Sequence, residues 1–301
     1  MNTRIWLAIG VAALGWGTSG VAQRAALADG IPPVAMVAMR SLMATILLIA
    51  LVRLSGRPLP NTRQAWKLGV VMGLLNLAVP FVTMAIALQF ASAGFVGLII
   101  ALIPLATAVL AHFSLDNEPL HGAKTIGLLA GLGGVVVLLL SGDSGIGAAG
   151  RPVLAASLSI VGVLAISYAG IYAKKHQTSY DPMVLTGLQF AVGFVLIALF
   201  MLAYEGMPPS VTPWGWFLLL YLTIPGSVMP FLLFYWVLQR TTTTIASLTA
   251  YVVPLIALIS GIVILDERLE FGIAIGGALI MVGVVLVNRA DRRLQASPTV
   301  V

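Results

Sequence analysis

The chain has 301 residues, of which 60% are hydrophobic and 9% charged, with a mean hydropathy of +1.06 and a net charge of +6. A water-soluble domain carries about 25% charged residues, so this composition excludes a soluble globular protein, and the lack of polar runs excludes a disordered arm. Cysteine is absent, which removes disulfides, thiolate nucleophiles and cysteine-ligated metals.

Ten apolar segments follow one another, at about 5–23, 33–52, 67–88, 94–113, 122–140, 152–173, 182–203, 214–237, 245–264 and 271–288, each near the ~20 residues that cross a ~30 Å hydrocarbon core. The predicted fold is an all-α integral membrane protein with ten transmembrane helices. The first segment continues to Gln23-Arg24 with no small-residue cleavage site, so it reads as a span and not as a signal peptide. It carries Trp16, Thr18 and Ser19, and Trp16 and Ser19 share a helix face. The second span holds Arg40, the one basic residue well inside a span. A charge there is expensive and faces the bundle interior or water. It either attracts a substrate carboxylate or closes a gate, or it satisfies helix carbonyls and holds the bundle together.

The third span places Asn76, Pro80 and Thr83 on one face, with Met84 next in the chain, and the fourth carries Pro104 and ends near His112. In the fifth, Gly127 and Gly131 form a small-xxx-small pair that permits close helix approach. A Gly- and Ser-rich linker from Ser141 to Gly150 follows, and divides a first five-helix repeat, residues 1–148, from a second, residues 149–301. Tyr168 lies in the sixth span, Gln189 in the seventh, Pro230 and Tyr235 in the eighth, and Tyr251 and Pro254 in the ninth. The tenth repeats the glycine pair at Gly272 and Gly276. Spans five and ten read as peripheral struts packing each half, with a dimer contact as the alternative use of their glycines.

The halves are copies. Pro80-Phe81 returns at Pro230-Phe231, Leu88-Gln89 at Leu238-Gln239 and Pro104 at Pro254, each 150 residues on. Gln189 holds the place of Arg40 in the second copy. Five spans per copy is an odd number, so the second copy enters the bilayer inverted, as in secondary transporters. Pro80, Pro104, Pro230 and Pro254 are predicted to bend their helices around a central cavity and to serve as gating points. With the N-terminus in the cytoplasm, twelve of the 16 basic residues fall inside, including Arg57, Lys174 and Lys175, against Arg24, Arg151 and Arg268 outside. That bias predicts both termini on the cytoplasmic side of the membrane. The basic balance then reflects orientation, and no nucleic-acid partner is expected.

The predicted cavity is lined by Trp16, Ser19, Arg40, Asn76, Pro80, Thr83, Met84, Tyr168, Gln189, Tyr235 and Tyr251. An apolar and aromatic pocket with a few amides and hydroxyls suits a neutral, partly apolar solute. No Asp or Glu lies in the middle of a span. Proton coupling commonly uses such a carboxylate, so downhill transport or exchange is expected. Asp116, Glu118, Asp266 and Glu267 fall at span ends and read as interface charges and helix N-terminal partners. The sequence has no Gly-x-x-x-x-Gly-Lys-Ser/Thr loop, no His-Glu-x-x-His and no Gly-x-Ser-x-Gly. No enzyme, metal or cofactor is expected, and a monomer is expected over a dimer.

The early Gly15-Trp16-Gly17-Thr18-Ser19, the approach Asn117-Glu118-Pro119-Leu120 and the later Leu265-Asp266-Glu267-Arg268-Leu269 carry a resemblance, together with the glycine-rich stretch Gly276 to Gly283. With the paired halves, they make the chain resemble the EamA branch of the drug/metabolite transporter superfamily over nearly its whole length. The first-half copy departs from the second in having Pro119 where the second has Arg268. Within that family the chain is most similar to bacterial exporters of aromatic and other neutral amino acids. The resemblance implies export of such solutes by alternating access. A drug or organic-solute exporter of the same superfamily is the alternative, and a membrane binding or scaffold protein without transport is the alternative of another class.

Overall fold

The computed structural model describes residues 3–58, 62–114, 120, 122–176, 181–208, 210–238, 240–241 and 249–296, with backbone alone at 123, 238, 250–251 and 290–296. Ten helices carry the fold: α1 Thr3–Ala28, α2 Pro33–Leu54, α3 Arg63–Ala87, α4 Ala93–Ser114, α5 Gly122–Ser141, α6 Pro152–His176, α7 Pro182–Tyr204, α8 Pro213–Val237, α9 Thr249–Leu265 and α10 Phe271–Ala296. Among the described residues there is no strand, and nine helices are long and apolar enough to cross a membrane. The remaining one, α9, shows a shorter apolar stretch, Val252–Leu265. The predicted ninth span began earlier, over residues that lie partly outside the described ones.

Local chemistry sets the helix starts. Pro33, Pro152, Pro182 and Pro213 each occupy a first helical position, where the missing N–H costs nothing. The Thr62, Ser92, Thr212 and Asp181 side chains accept hydrogen bonds from first-turn N–H groups of α3, α4, α8 and α7, filling donors that the helix leaves open.

The packing follows one pattern read twice. Helix α1 lies against α8 and α9, and α6 lies against α3 and α4. Helix α2 packs on α7, α2 also meets α8 as α7 meets α3, and α5 packs along α10. In lipid, apolar side chains gain little from leaving the bilayer for the protein interior, so close packing and buried polar pairs hold helices together. The α5–α10 contact shows the first device. A Cβ at Gly134 would stand 2.5 Å from the Gly276 carbonyl oxygen, and one at Gly283 would stand 2.5 Å from the Gly127 carbonyl oxygen. Only glycine permits that approach. This corrects the expectation that the fifth and tenth spans brace their own halves. They meet each other, because glycines of one half fit against the backbone of the other.

The bends also differ from a simple proline kink. In α3 the Val79 N–H donates to the Leu74 carbonyl, and in α8 the Met229 N–H donates to the Ile224 carbonyl, five residues back in both. Each is a π turn, and each stands directly before the repeated proline, Pro80 or Pro230. A proline has no N–H for the carbonyl four residues earlier and crowds it; the wider turn makes room. Helix α4 instead breaks at Ala101-Leu102, ahead of Pro104. Helix α9 carries Pro254 in its interior without a break. The four prolines therefore make two wide turns, one break and one continuous helix.

Candidate functional site

At the α8 turn the buried Arg40 reaches across from α2. Its Nε and one terminal nitrogen donate to Ser227 Oγ at 3.2 and 2.7 Å, and the same terminal nitrogen donates to the Gly226 carbonyl at 3.5 Å. The Ser227 hydroxyl in turn donates to the Leu222 carbonyl at 2.8 Å. Gly226 is four residues before Pro230, so Arg40 supplies the donor that this proline lacks. The guanidinium also sits 4.4 Å from the centre of the Phe81 ring, a cation–π contact. Ser19 of α1 lies beside Gly226, and Gly15 presses so close that a Cβ there would overlap the Pro225 carbonyl oxygen.

At the α3 turn the partner comes from α7. The Asn76 amide nitrogen lies 3.4 Å from the Gln189 side-chain oxygen. Asn76 stands 150 residues before Gly226, so this pair is the counterpart of the Arg40 contact. It is thinner. Gln189 is completely buried, and its side-chain nitrogen has no hydrogen-bond partner.

Between the two turns lies an aromatic cluster. Phe81 and Phe231, the residues that follow the two repeated prolines, both pack on Phe190, at 6.4 and 5.7 Å between ring centres. Trp16 stands edge-on to Phe231 at 5.4 Å and touches Phe234 at 5.6 Å, and Tyr235 flanks both phenylalanines. A cleft of about 570 Å³ reaches this cluster at Tyr235, walled by Leu7, Val11 and Leu233 with Arg4 and Arg57 at its rim. Arg57, in the connection after α2, pairs with Asp181, in the connection after α6, so these two connections share a face of the protein. Lys174 ends α6 on that same face. Partial burial works to raise the Asp181 pKa, but the Arg57 hydrogen bond and the N–H groups of Val184 and Met183 outweigh it and hold the carboxyl below the usual carboxylate range.

The opposite face is cross-linked by backbone and carboxylate contacts, beside a smaller cleft of about 390 Å³ lined by Ile31, Pro33, Gln89 and Glu205. Glu267 accepts from the Ala93 and Gly94 N–H groups at the start of α4, at 2.8 and 3.3 Å, and pairs with Arg24 at 3.1 Å. Arg24 also donates to the Leu88 and Ala91 carbonyls. Glu205 accepts from the Val34 and Ala35 N–H groups at the start of α2. Glu267 is thus the helix N-terminal partner the sequence suggested. Asp116, Glu118 and the Asn117-Glu118-Pro119 motif lie outside the described residues.

The predicted site residues fall into two groups, one residue at the cleft and two exceptions. Trp16, Ser19 and Arg40 gather at the α8 turn. Asn76, Pro80 and Gln189 meet at the α3 turn, where Thr83 and Met84 turn toward Gly162 of α6. Tyr235 borders the cleft. Tyr168 does not join them. It is 48% exposed on a stripe with Leu154, Val161 and Leu164, the outward face of α6, because residues 7, 10 and 14 positions apart share a helix side. The Tyr251 side chain lies outside the described residues. Phe81, Phe190, Phe231, Ser227 and Glu205 were missed. The repeated Pro-Phe pair was a usable signal for two of them; Phe190 is one apolar residue among many.

The EamA-like transporter family matches this sequence twice, over residues 3–140 and 153–289. The chain belongs to the EamA-like transporter family. Among its relatives, the uncharacterized transporter sll0355 of Synechocystis is 27% identical over 92% of this chain and 87% of its own length. The uncharacterized inner membrane transporter YedA of Escherichia coli K12 is 28% identical over 89% and 86%, and protein PecM of Dickeya dadantii is 28% identical over 85% and 83%. A solved crystal structure, 24% identical, superposes with a TM-score of 0.65 over 98% of this chain and all of its own, which shows the fold. This EamA-like chain is therefore a multi-pass membrane transporter.

Proposed function

We propose that this transporter exports neutral or aromatic amino acids, or similar small metabolites, across a bacterial inner membrane by alternating access, downhill or by exchange. The observation that carries the reading is the aromatic cluster of Trp16, Phe190, Phe231 and Tyr235, drawn from both halves and flanked by Arg40, Asn76 and Gln189. Edge-to-face and tilted rings with a few amides suit a neutral solute with an apolar side chain. The spans hold no mid-membrane carboxylate to carry a proton.

The halves, residues 1–148 and 149–301, are taken as inverted copies. Supporting this are the two family matches, the π turns 150 residues apart, and the Arg57–Asp181 pair between the connection after the second helix of one half and that after the first helix of the other. Pro80, Pro104, Pro230 and Pro254 are taken as the bending points of the moving helices. The face with Arg57 and Lys174 is taken as cytoplasmic, which puts both termini there. Its larger cleft, against the smaller one on the cross-linked opposite face, supports a state that receives solute from the cytoplasm. The functional unit is taken as a monomer.

The test is flux of radiolabelled amino acids in proteoliposomes, with and without a pH gradient. Saturable flux of neutral and aromatic amino acids, indifferent to the gradient, is expected. Acceleration by an inward proton gradient would overturn the uncoupled mechanism. Flux at background across the panel would leave a binding or scaffold role, and flux of drugs alone would move the chain to the organic-solute exporters.

A further inference from the structure

The two π turns leave the same debt on the backbone and settle it differently. A carbonyl four residues before a helix proline loses its donor, and in lipid no water makes up the loss. At α8 the Gly226 carbonyl receives Arg40, Ser227 closes onto Leu222, and Phe81 covers the guanidinium. Two nitrogens of Arg40 converge on Ser227, and its charge is covered by a ring, so it is committed to the protein. At α3 the position equivalent to Gly226 is Asn76, whose side-chain nitrogen makes the long 3.4 Å contact with the Gln189 side-chain oxygen. The Gln189 side-chain nitrogen stays without a partner although the residue is wholly buried. A buried N–H left unsatisfied is costly enough to call for an explanation. Gln189 is followed by Phe190, the centre of the aromatic cluster, so the open donor belongs to the same turn of α7 that carries the apolar site.

Resting on the transporter reading, we propose that Asn76 and Gln189 at the α3 turn form the hydrogen-bonding subsite for the polar head of the solute, and that Arg40 clamps α8 and binds no solute. The subsite offers a donor, the Gln189 amide nitrogen, and an acceptor, the Asn76 side-chain oxygen. It fits a head that carries both kinds of group, as the ammonium and carboxylate of an amino-acid zwitterion do, with the side chain lying among Phe81, Phe190 and Phe231. A bare amine or a bare carboxylate fills half of it. Asn76, only partly buried, is the member of the pair that a solute reaches first.

Three probes with the same ring test this: L-phenylalanine, phenethylamine and 3-phenylpropionate. Each is measured for binding to the detergent-purified protein by tryptophan fluorescence and for flux in proteoliposomes. The expected result is that phenylalanine binds about tenfold tighter than either single-headed probe, the worth of one or two hydrogen bonds. Gln189→Leu should erase that preference, and Gln189→Met, which keeps the length and removes the donor, should do the same. Arg40→Lys should lower the thermal unfolding temperature and keep the preference. Equal binding of the three probes to the wild type overturns the subsite, as does a preference that survives both Gln189 variants or disappears in Arg40→Lys. Binding with the expected selectivity but no flux upholds the subsite and overturns the transport reading. Flux without selectivity upholds transport and overturns the subsite.

Discussion

The turns before Pro80 and Pro230 have the same backbone and opposite surroundings. At α8 an arginine bonds Ser227 and the Gly226 carbonyl, the serine bonds the Leu222 carbonyl, and a glycine of α1 packs on the turn. At α3 a single long amide contact stands in their place, with one buried nitrogen unmatched. The shape of such a turn is set by proline and the wide turn that relieves it, so both copies of the segment keep it. Its rigidity is set by side chains from neighbouring helices, and these differ between the copies. Matched geometry therefore does not imply matched stiffness.

The largest test of this difference is steric. Gly15→Ala drives a methyl group into the Pro225 carbonyl and Pro230 ring, and a loss of about 3 kcal/mol or more is expected in detergent unfolding, because backbone has no room to yield. Gly162→Ala, at the α6 glycine that packs on Pro80, meets the flexible end of Met84 at 2.9 Å and the Thr83 hydroxyl at 3.0 Å, and about 1 kcal/mol is expected. Equal losses would erase the distinction. Next is the clamp. Arg40→Met removes charged hydrogen bonds and a cation–π contact and should cost about 2–3 kcal/mol. Gln189→Met removes a contact already poor and an unsatisfied donor, so a change within about 0.5 kcal/mol of zero is expected by the same unfolding assay. Ser227→Ala should fall between them at about 1 kcal/mol.

The smallest effect concerns acid. The Asp181 carboxyl is held below its ordinary range by Arg57 and two backbone N–H groups. A carboxyl depressed on folding adds stability that is full above its unfolded pKa of about 4 and is lost as pH falls through the lower folded value. Unfolding temperatures of the wild type and Asp181→Asn should therefore differ by the same amount at pH 7 and pH 5 and converge only below about pH 4. Convergence already near pH 6 would contradict the depressed carboxyl. The pair is more than a third exposed, so a modest difference is expected.

Much of the fold was legible because the bilayer fixes helix length. The predicted spans and the observed helices share their centres, from 5–23 against Thr3–Ala28 to 182–203 against Pro182–Tyr204. The pairing of Arg40 with Gln189 was legible as a repeat offset. Their partners were not. Nothing in Gly226 and Ser227 as a sequence says that an arginine from α2 will reach them, since that depends on how helices distant in the chain come together. The outward position of Tyr168 was recoverable from the spacing of Leu154, Val161 and Leu164, but an aromatic residue deep in a span invites the inward reading. The π turns carry no signal beyond the proline. The meeting of α5 with α10 is a long-range contact that a local glycine motif does not specify.

That meeting has a mechanical consequence. Two backbones touching through Gly127, Gly134, Gly276 and Gly283 cannot slide or part without losing every contact along the line. Any tilting of one half on the other must leave this edge nearly still, as the spine of a book stays put while its covers swing. Probe pairs bridging Gly134 and Gly276 should keep one distance through a transport cycle, and the widest excursions should occur at the helices farthest from them.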